Sequence, residues 1–503
     1  MRLKELLLHA EMLDGQDLPD VEITEIVTNS LKADYGSLFV CLEGAKSDGH
    51  KYIRDALIKG AVAVVMQRGT KVDVPPFCKN ITFIYCDNTR RAAAKLYNAW
   101  YGRPAERLRI IAVTGTNGKT STTFMLRAIF EAALYKCGII GTVECTSGEH
   151  RLSANPDSPL ANMTTPDPKE LYRTLAFMAA DGVDYVFMEA SSHALKLSKL
   201  DALTFDAAIF TNLTPEHLDF HETMDDYKES KAKLFKMSKT ALINADDPFG
   251  EYMANQSLGK VYTYSAKGDD ADFRADEGVS DSRGINYTLV SKNTIMKIKS
   301  SLRGGFNVDN TLAAAACALT LGISPATVAE ALRSISGISG RMERLKLDPG
   351  ADFSVYIDYA HTPDALENLL VSARRISTEN ERIVLLFGCG GDRDKSKRSV
   401  MGKIASEYAD LTVVTSDNSR SESREAIIED IMKGFDESRE YIIIPDRREA
   451  IEYAIVNARR GDLILLAGKG HERYEIDSDG KHPFDEREIV SEALKKRSER
   501  YGR

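Results

Sequence analysis

The chain has 503 residues, too many for a single hydrophobic core, and its length points to about three domains. With 43% hydrophobic and 28% charged residues it has the composition of a folded globular protein, not a disordered one. A net charge of -9 argues against a general nucleic-acid binder, because neutralising phosphates requires a basic surface.

Leu6-Leu7-Leu8 is followed at once by His9 and Glu11, so no signal-peptide core is present. No apolar run reaches membrane-spanning length, and the chain is expected to be cytoplasmic. Cys41, Cys78, Cys86, Cys137, Cys145, Cys317 and Cys389 are scattered, without C-x-x-C spacing. Free thiols are expected, with neither a disulfide framework nor a zinc site.

Residues 1–102 mix strand-like runs at 37–40 and 61–65 with helical stretches, which predicts a small α/β N-terminal domain. Trp100-Tyr101-Gly102-Arg103-Pro104 then reads as a linker. Across 103–340, apolar runs at 109–114, 184–189, 206–211 and 240–244 alternate with helical segments. That alternation predicts a P-loop-type, mostly parallel central sheet. A Gly- and Asp-rich stretch at 266–285 predicts an exposed hairpin, and an Ala-rich helix is expected over 309–321, stopped by Gly322. Runs at 354–357, 383–387, 411–414 and 463–466 repeat the alternation within 341–503. They predict a Rossmann-like, doubly wound C-terminal domain with ligands at the carboxyl ends of its strands.

The run Ile110-Ile111-Ala112-Val113 leads into Thr114-Gly115-Thr116-Asn117-Gly118-Lys119-Thr120, and a helical stretch begins at Ser121. Strand, glycine loop and helix in that order offer backbone N–H groups and a helix N-terminus to an anion. Lys119 is placed to neutralise outer phosphates and Thr120 to ligate magnesium. Val113 stands where the general phosphate-loop pattern has its first glycine. Glu189 closes the apolar run Val186-Phe187-Met188, which puts a carboxylate at a sheet edge beside the loop. Carboxylate, hydroxyl and phosphate oxygens suit magnesium.

The loop is followed by Glu189-Ala190-Ser191-Ser192-His193, Thr211-Asn212-Leu213, His217-Leu218-Asp219 with His221, and Lys231. Phe306-Asn307 with Asn310, Gly340-Arg341-Met342-Glu343 and Asp358-Tyr359-Ala360-His361-Thr362-Pro363 come later. In this order and spacing the chain resembles the Mur ligase family from end to end. Gly36-Ser37-Leu38-Phe39-Val40 and Ser47-Asp48-Gly49-His50 are most similar to its tripeptide-forming branch. The resemblance implies ATP-dependent amide-bond formation on UDP-N-acetylmuramoyl-L-alanyl-D-glutamate, a peptidoglycan precursor, through an acyl phosphate. It also implies two Mg²⁺ ions, with Thr120, Glu189, His217 and a carbamate formed on Lys231 as metal ligands. Read from residues alone, Lys231 is one more solvated helix lysine between Lys228 and Lys233.

By the same resemblance, Gly115 to Ser121, Asn307, Asn310, Arg341 and Asp358 hold the nucleotide, and Lys119, Glu189, His217 and Lys231 carry the catalysis. Ser30, Ser47, Asp48, Gly49, His50, Thr164, Thr165, Ser191 and Lys199 would bind the UDP-linked precursor. Asp417-Asn418-Ser419-Arg420 resembles the motif of members that add meso-diaminopimelate, so Arg393, Asp417, Asn418, Arg420, Gly468 and Glu472 would bind that amino acid. A planar guanidinium left facing lysine's bare methylene would go unpaired, which favours diaminopimelate. Lys199, Glu216, Ser419 and Asn29-Ser30-Leu31 depart from the family pattern, which has Arg, Asp, Pro and Asp-Ser-Arg there. A lysine-adding ligase and a divergent non-catalytic precursor-binding paralogue stay open as alternatives, while Ser47-Asp48-Gly49-His50 and the Asn418/Arg420 pair argue against a folate polyglutamate ligase. Small-molecule substrates and a monomer are expected, with no nucleic-acid or membrane partner.

Overall fold

Along the strand Arg109–Thr114, Ile110 and Ala112 enter one hydrophobic cluster while Ile111 and Val113 enter another. Burial on both faces is what a parallel sheet needs when helices cover it front and back. The computed structural model describes residues 1–13, 18–44, 47–71, 81–152, 163–268, 270–347, 350–378 and 381–501. Cys78 lies outside them. Cys41, Cys86, Cys137, Cys317 and Cys389 carry free thiols. Among the described residues no helix is long and apolar enough to cross a membrane.

Three large sheets organise the described residues, with a two-stranded pair, Tyr474–Asp477 and Gly480–Pro483, besides them. In the first, Glu25–Val27, Ser37–Val40, Ala63–Gln67 and Thr82–Cys86 pair in that order, all parallel. The central sheet has eleven strands. Its middle runs Thr240–Asn244, Ala207–Phe210, Arg109–Thr114, Tyr185–Glu189 and Cys137–Ile140, again parallel throughout. The stretch expected as an exposed hairpin does turn back on itself, but Phe273–Asp281 and Gly284–Ser291 extend the central sheet. Phe273 and Ala275 point inward under the helix Phe306–Thr320 while Arg274 and Asp276 pair outside, a period of two that the polar composition masks. That Ala-rich helix ends before Gly322, whose φ of +89° an L side chain rarely adopts.

The third sheet orders Glu343–Arg344, Ser354–Asp358, Leu463–Ala467, Ile383–Phe387, Leu411–Val414 and Tyr441–Ile443, with only the first antiparallel. Leu385 and Phe387 pack on one side, Val384 and Leu386 on the other, so this sheet is doubly wound. The edge strand Tyr441–Ile443 is short and half-exposed and carries no clear sequence signal.

The three units are not joined alike. Leu96 and Val40 share a single cluster with Tyr172 and Leu175 of the central unit, and Lys169–Glu25 (2.5 Å) and Arg91–Asp201 (2.9 Å) flank it. The third unit keeps its own core and meets the phosphate loop through polar contacts. Asn117 Nδ2 donates to Asp364 Oδ2 (2.7 Å) and Arg341 Nη2 to Thr120 Oγ1 (3.1 Å).

Within that third unit a fully buried Arg447 ties the ends of two strands together. It donates to Ser416 O (3.1 Å), Ala467 O (2.8 Å) and Glu486 Oε1 (2.8 Å). Arg447→Met should cost about 3–5 kcal/mol in denaturant unfolding, because it strands Glu486 as an unpaired buried charge. Adding Glu486→Leu should recover most of that loss, and a double variant as unstable as the single one would contradict the assignment.

Candidate active site

The strand Arg109–Thr114 delivers the chain to the loop 115–118, and the helix Lys119–Ala132 leaves it. Gly115 (φ +152°) and Gly118 (φ +85°) are required there, since a Cβ would collide with Thr211 Oγ1 at the first and Asn310 Oδ1 at the second. Thr211 and Asn212 brace the loop from the neighbouring strand. Thr211 Oγ1 donates to Asn117 O (2.6 Å), and Asn117 N donates to Asn212 Oδ1 (2.8 Å). Asn310 and Asn307, linked at 3.3 Å, support it from the first turns of the helix Phe306–Thr320. Ser121 is buried in the helix that follows.

Glu189 is buried at the carboxyl end of its strand. It accepts hydrogen bonds from Thr120 Oγ1 (3.1 Å), Thr142 N (2.9 Å) and Thr142 Oγ1 (3.0 Å). Among the described residues no cation pairs with it. Thr142 carried no motif, and only its place after the strand Cys137–Ile140 hinted at a role. Thr164 reaches Thr142 (2.9 Å), and Thr165 Oγ1 donates to Glu189 O (2.8 Å) and lies 3.1 Å from Ser191 Oγ. The precursor candidates Thr164, Thr165 and Ser191 therefore surround Glu189. Lys199 pairs with Asp167 at 2.7 Å.

Lys231 is no solvated lysine. It is 1% exposed, donates to Gly115 O (2.8 Å) and lies 4.5 Å from the Tyr227 ring centre. Burial drives its ammonium well below the usual range, helped by the charge of Lys119 and opposed by Glu216. Lys119 donates to Gly115 O (2.9 Å) and Thr116 O (2.7 Å), and burial lowers it too, against Glu216 and Glu189. His217, in a left-handed turn at φ +57°, is held down to about 4, by burial above all. The histidine group divides: His221 is engaged by Asp226 and Ser192, His193 stacks on Phe220, and only His217 faces a cleft. Among the described residues no three His, Cys, Asp or Glu side chains converge on one point.

That cleft, of about 220 Å³, lies between the central and third units. Pro215 to His217 form one wall, and Arg393, Asp417, Asn418, Arg420, Gly468 and Glu472 face them. All six amino-acid candidates thus meet at the carboxyl edge of the third sheet, opposite His217. Arg420, which reads as a solvated turn residue from its serine neighbours, is half-buried and donates to Gly391 O (2.8 Å). Asn418 accepts from Lys469 Nζ (3.0 Å) and Ile476 N (2.9 Å), which turns its Nδ2 towards Glu472 Oε2 (2.9 Å). Burial, with Asp417 nearby, raises the Glu472 carboxyl.

His361, quoted in the sequence but given no role, spans the cleft: Nδ1 meets Tyr359 O (2.7 Å) and Nε2 meets Glu216 Oε1 (3.1 Å). Burial opposes ionisation of Glu216, but His361, His217 and Lys119 hold its carboxyl well below the usual range. The extra methylene of Glu216 over the family's Asp extends the carboxylate's reach towards His361. Arg341 lies over the Tyr359 ring at 4.5 Å, while Asp358 accepts from Met342 N (2.6 Å) and Ala360 N (2.7 Å). Asp358 therefore holds the backbone at Met342 and Ala360, where the chain enters the third unit.

The remaining precursor candidates follow the strands of the first sheet. Ser30 is buried one turn after Glu25–Val27, and Ser47 and Gly49 lie after Ser37–Val40. Asp48 accepts from His50 N (3.0 Å) and meets His50 Nδ1 (2.6 Å), and Gln67 N donates to His50 Nε2 (3.1 Å). Among the described residues no hydrogen bond joins these five to the phosphate loop.

A braced phosphate loop facing an amino-acid-sized polar cleft across a domain junction defines an ATP-dependent ligase that joins an acid to an amino acid. The chain belongs to the Mur ligase family: residues 22–114 match its "Mur ligase family, catalytic domain" model, 113–318 its middle domain and 340–470 its glutamate ligase domain. It is 42% identical to the UDP-N-acetylmuramoyl-L-alanyl-D-glutamate--2,6-diaminopimelate ligase of Syntrophomonas wolfei subsp. wolfei, covering 98% of this chain and 99% of that protein. To the ligase of the same name from Caldanaerobacter subterraneus subsp. tengcongensis it is 43% identical over 95% of each. A solved structure of a ligase with this name superposes at a TM-score of 0.66 with 32% identity, covering 94% of this chain and 95% of that one.

His471 packs 5.2 Å from the Tyr359 ring, and burial, then the charges of Arg341 and Arg487, hold it down to about 3. Between pH 3 and 6.5 the unfolded chain binds this proton and the folded chain does not. Stability should therefore rise with pH across that window and level off above it, by at most about 1.4 kcal/mol per pH unit for this group. Unfolding free energies from pH 5 to 8 should show a shallower slope for His471→Phe than for the parent, and equal slopes would refute it.

Proposed function

We propose that the chain adds meso-2,6-diaminopimelate to UDP-N-acetylmuramoyl-L-alanyl-D-glutamate at the expense of ATP, forming the tripeptide precursor of peptidoglycan in the cytoplasm. One observation carries this reading: His217 and Glu216 face all six amino-acid candidates across a cleft at the domain junction. The relatives' names, shared over nearly the whole chain, agree with it.

The phosphate loop and Lys119 hold the triphosphate, with Arg341 reaching the same point from the third unit. The D-glutamyl carboxylate attacks the γ-phosphorus, ADP leaves, and an acyl phosphate forms. The amine of diaminopimelate attacks its carbonyl carbon, phosphate departs, and the amine's proton is lost to solvent or a neighbouring base. Positioning and charge screening do most of the protein's part. Arg393 grips the carboxylate beside the reacting amine and Arg420 with Asn418 the distal carboxylate, while Gly468 and Glu472 hold the distal ammonium. Residues 30 and 47–50 hold the uridine diphosphate end.

The donor groups fit magnesium. Glu189 is a buried carboxylate whose partners are hydroxyls and an amide, and Thr120 adds a hydroxyl oxygen. Thr120 and Glu189 would hold one ion, and His217 with carbamylated Lys231 a second; the ions supply positive charge against the phosphoryl oxygens. Carbamate formation needs an unprotonated amine, which burial gives Lys231: a bond forms between Nζ and the carbon of CO2 and one amine proton leaves.

ADP release with ATP, Mg²⁺ and the UDP-muramoyl-dipeptide should be fast with meso-diaminopimelate and slow with L-lysine at equal concentration. Arg420→Ala should raise the KM for diaminopimelate by about 10- to 100-fold, the cost of one charged hydrogen-bonded contact. Fast turnover with lysine alone would keep the reaction and overturn the amino-acid assignment.

Lys231→Arg, which forms no stable carbamate, should lose about 10²- to 10³-fold in kcat, as expected for a lost electrostatic stabiliser. Removing CO2 should slow the parent, and bicarbonate should restore it without affecting the variant. A parent indifferent to CO2 would leave Lys231 as a structural amine.

A further inference from the structure

The two arginines proposed to grip the amino acid stand on different loops, Arg393 on 388–395 and Arg420 on 417–422. Neither loop has regular structure to fix it, yet the spacing of the two guanidinium groups decides which amino acid fits. The loops are sewn together. Gly391 N donates to Asn418 O (2.9 Å), Asp392 accepts from Ser421 N (3.2 Å) and Ser421 Oγ (2.7 Å), and Asp392 N donates to Glu422 Oε1 (2.6 Å). Beneath the seam lies Arg398, in the first turn of the helix Ser396–Tyr408, with a side chain only 1% exposed. Its guanidinium holds both oxygens of Glu422 (3.0 and 2.9 Å) on one loop and Gly390 O (3.2 Å) on the other. Asp430 Oδ2 (3.0 Å) anchors it from the helix Arg424–Met432.

From this arrangement we infer that Arg398 is a positioning residue for amino-acid selection, setting the distance between Arg393 and Arg420 without touching substrate. A planar, bidentate group is needed because two acceptors on one loop and one on the other must be met at once. Lysine at this position keeps the charge but loses the fork. The backbone carbonyls of Gly391 and Asn418, which accept from Arg420 (2.8 and 3.3 Å), would then drift with their loops. The inference rests on the proposed function for the identity of the amino acid, though not for the seam itself.

Arg398→Lys tests it in the full-length protein, alongside Asp392→Ala, which cuts the exposed end of the same seam and leaves the core intact. In both, the KM for diaminopimelate should rise at least tenfold, and the preference for diaminopimelate over lysine should fall, while the KM for ATP and for the UDP-linked substrate stays within twofold. A uniform loss across all three substrates, or an unchanged KM for the amino acid, would overturn it. Hydrogen exchange needs no substrate and separates this claim from the assigned reaction. Amides of 390–395 and 418–422 should lose protection together in both variants while the strands Ile383–Phe387 and Leu411–Val414 keep theirs. Unchanged loop protection would refute the positioning role even if the parent turned over neither amino acid, and selective loop loss would support it in that same case.

Discussion

Much of the site hangs on the Asp358 carboxylate. It ends the first parallel strand of the third unit, and its two oxygens are spent on the amides of Met342 and Ala360. Burial raises this carboxyl, and Arg341 and the two amides oppose that rise. The first amide fixes the chain's entry into the third unit, where Met342 takes φ +44° and Gly340 sits against Gly470 and His471 too tightly for any Cβ. The second starts the turn that aims Tyr359 and His361 at the cleft. Arg341, held between Tyr359 and Thr120, and His361, held against Glu216, are then two arms of one anchored segment reaching the central domain at separate points.

The unequal joining of the domains follows from what each interface can give up. The first two units share one apolar cluster, so separating them would expose side chains such as Leu96, Tyr172 and Leu175 to water. The contacts that bring the third unit to the phosphate loop are hydrogen bonds and ion pairs, which water can replace at small net cost. Relative motion is the ordinary expectation for such an interface. The same atoms that close the junction, Thr120 Oγ1, Asn117 Nδ2 and Glu216, belong to the phosphate loop or the cleft wall. Substrate binding and domain position therefore draw on common partners.

How much of this was legible in the sequence depended on whether the signal was local. The strands at 109–114, 354–358 and 383–387 are buried on both faces and read as apolar runs. The phosphate loop was equally plain, because its glycines, Lys119 and Thr120 form one unbroken run between a strand and a helix, although Thr211 and Asn310, which leave no room for a Cβ there, lie far along the chain. The hairpin after residue 266 was misjudged because its inward Phe273 and Ala275 are diluted among charged neighbours. Lys231 read as solvent-exposed because the chain carries no mark of the cavity formed by Tyr227 and Gly115, 116 residues away along the sequence for the latter contact. Contacts across the domain junction, such as Glu216 with His361 or Asn117 with Asp364, had no local signal at all. Glu216 was visible only as a departure from a family pattern, and the structure gives that departure a partner.

Charge at the junction explains why these long-range contacts matter. Burial, and then the charge of Lys119, lower the tendency of Lys231 to stay protonated, and Glu216 opposes them. An anion entering the phosphate loop would reverse the balance for Lys119, whose cationic form gains a partner. Protonation of Lys119 and anion binding are thus linked, each favouring the other. Lys231 would face the opposite demand, because the carbamylation proposed for it requires the neutral amine. Two lysines that donate to the same Gly115 carbonyl can serve both ends only if their surroundings differ. Lys119 has Glu189 and Glu216 to support its charge, whereas Lys231, almost sealed from solvent beneath Gly115, has Glu216 alone. The separation of roles is written in the placement of two carboxylates rather than in the lysines themselves.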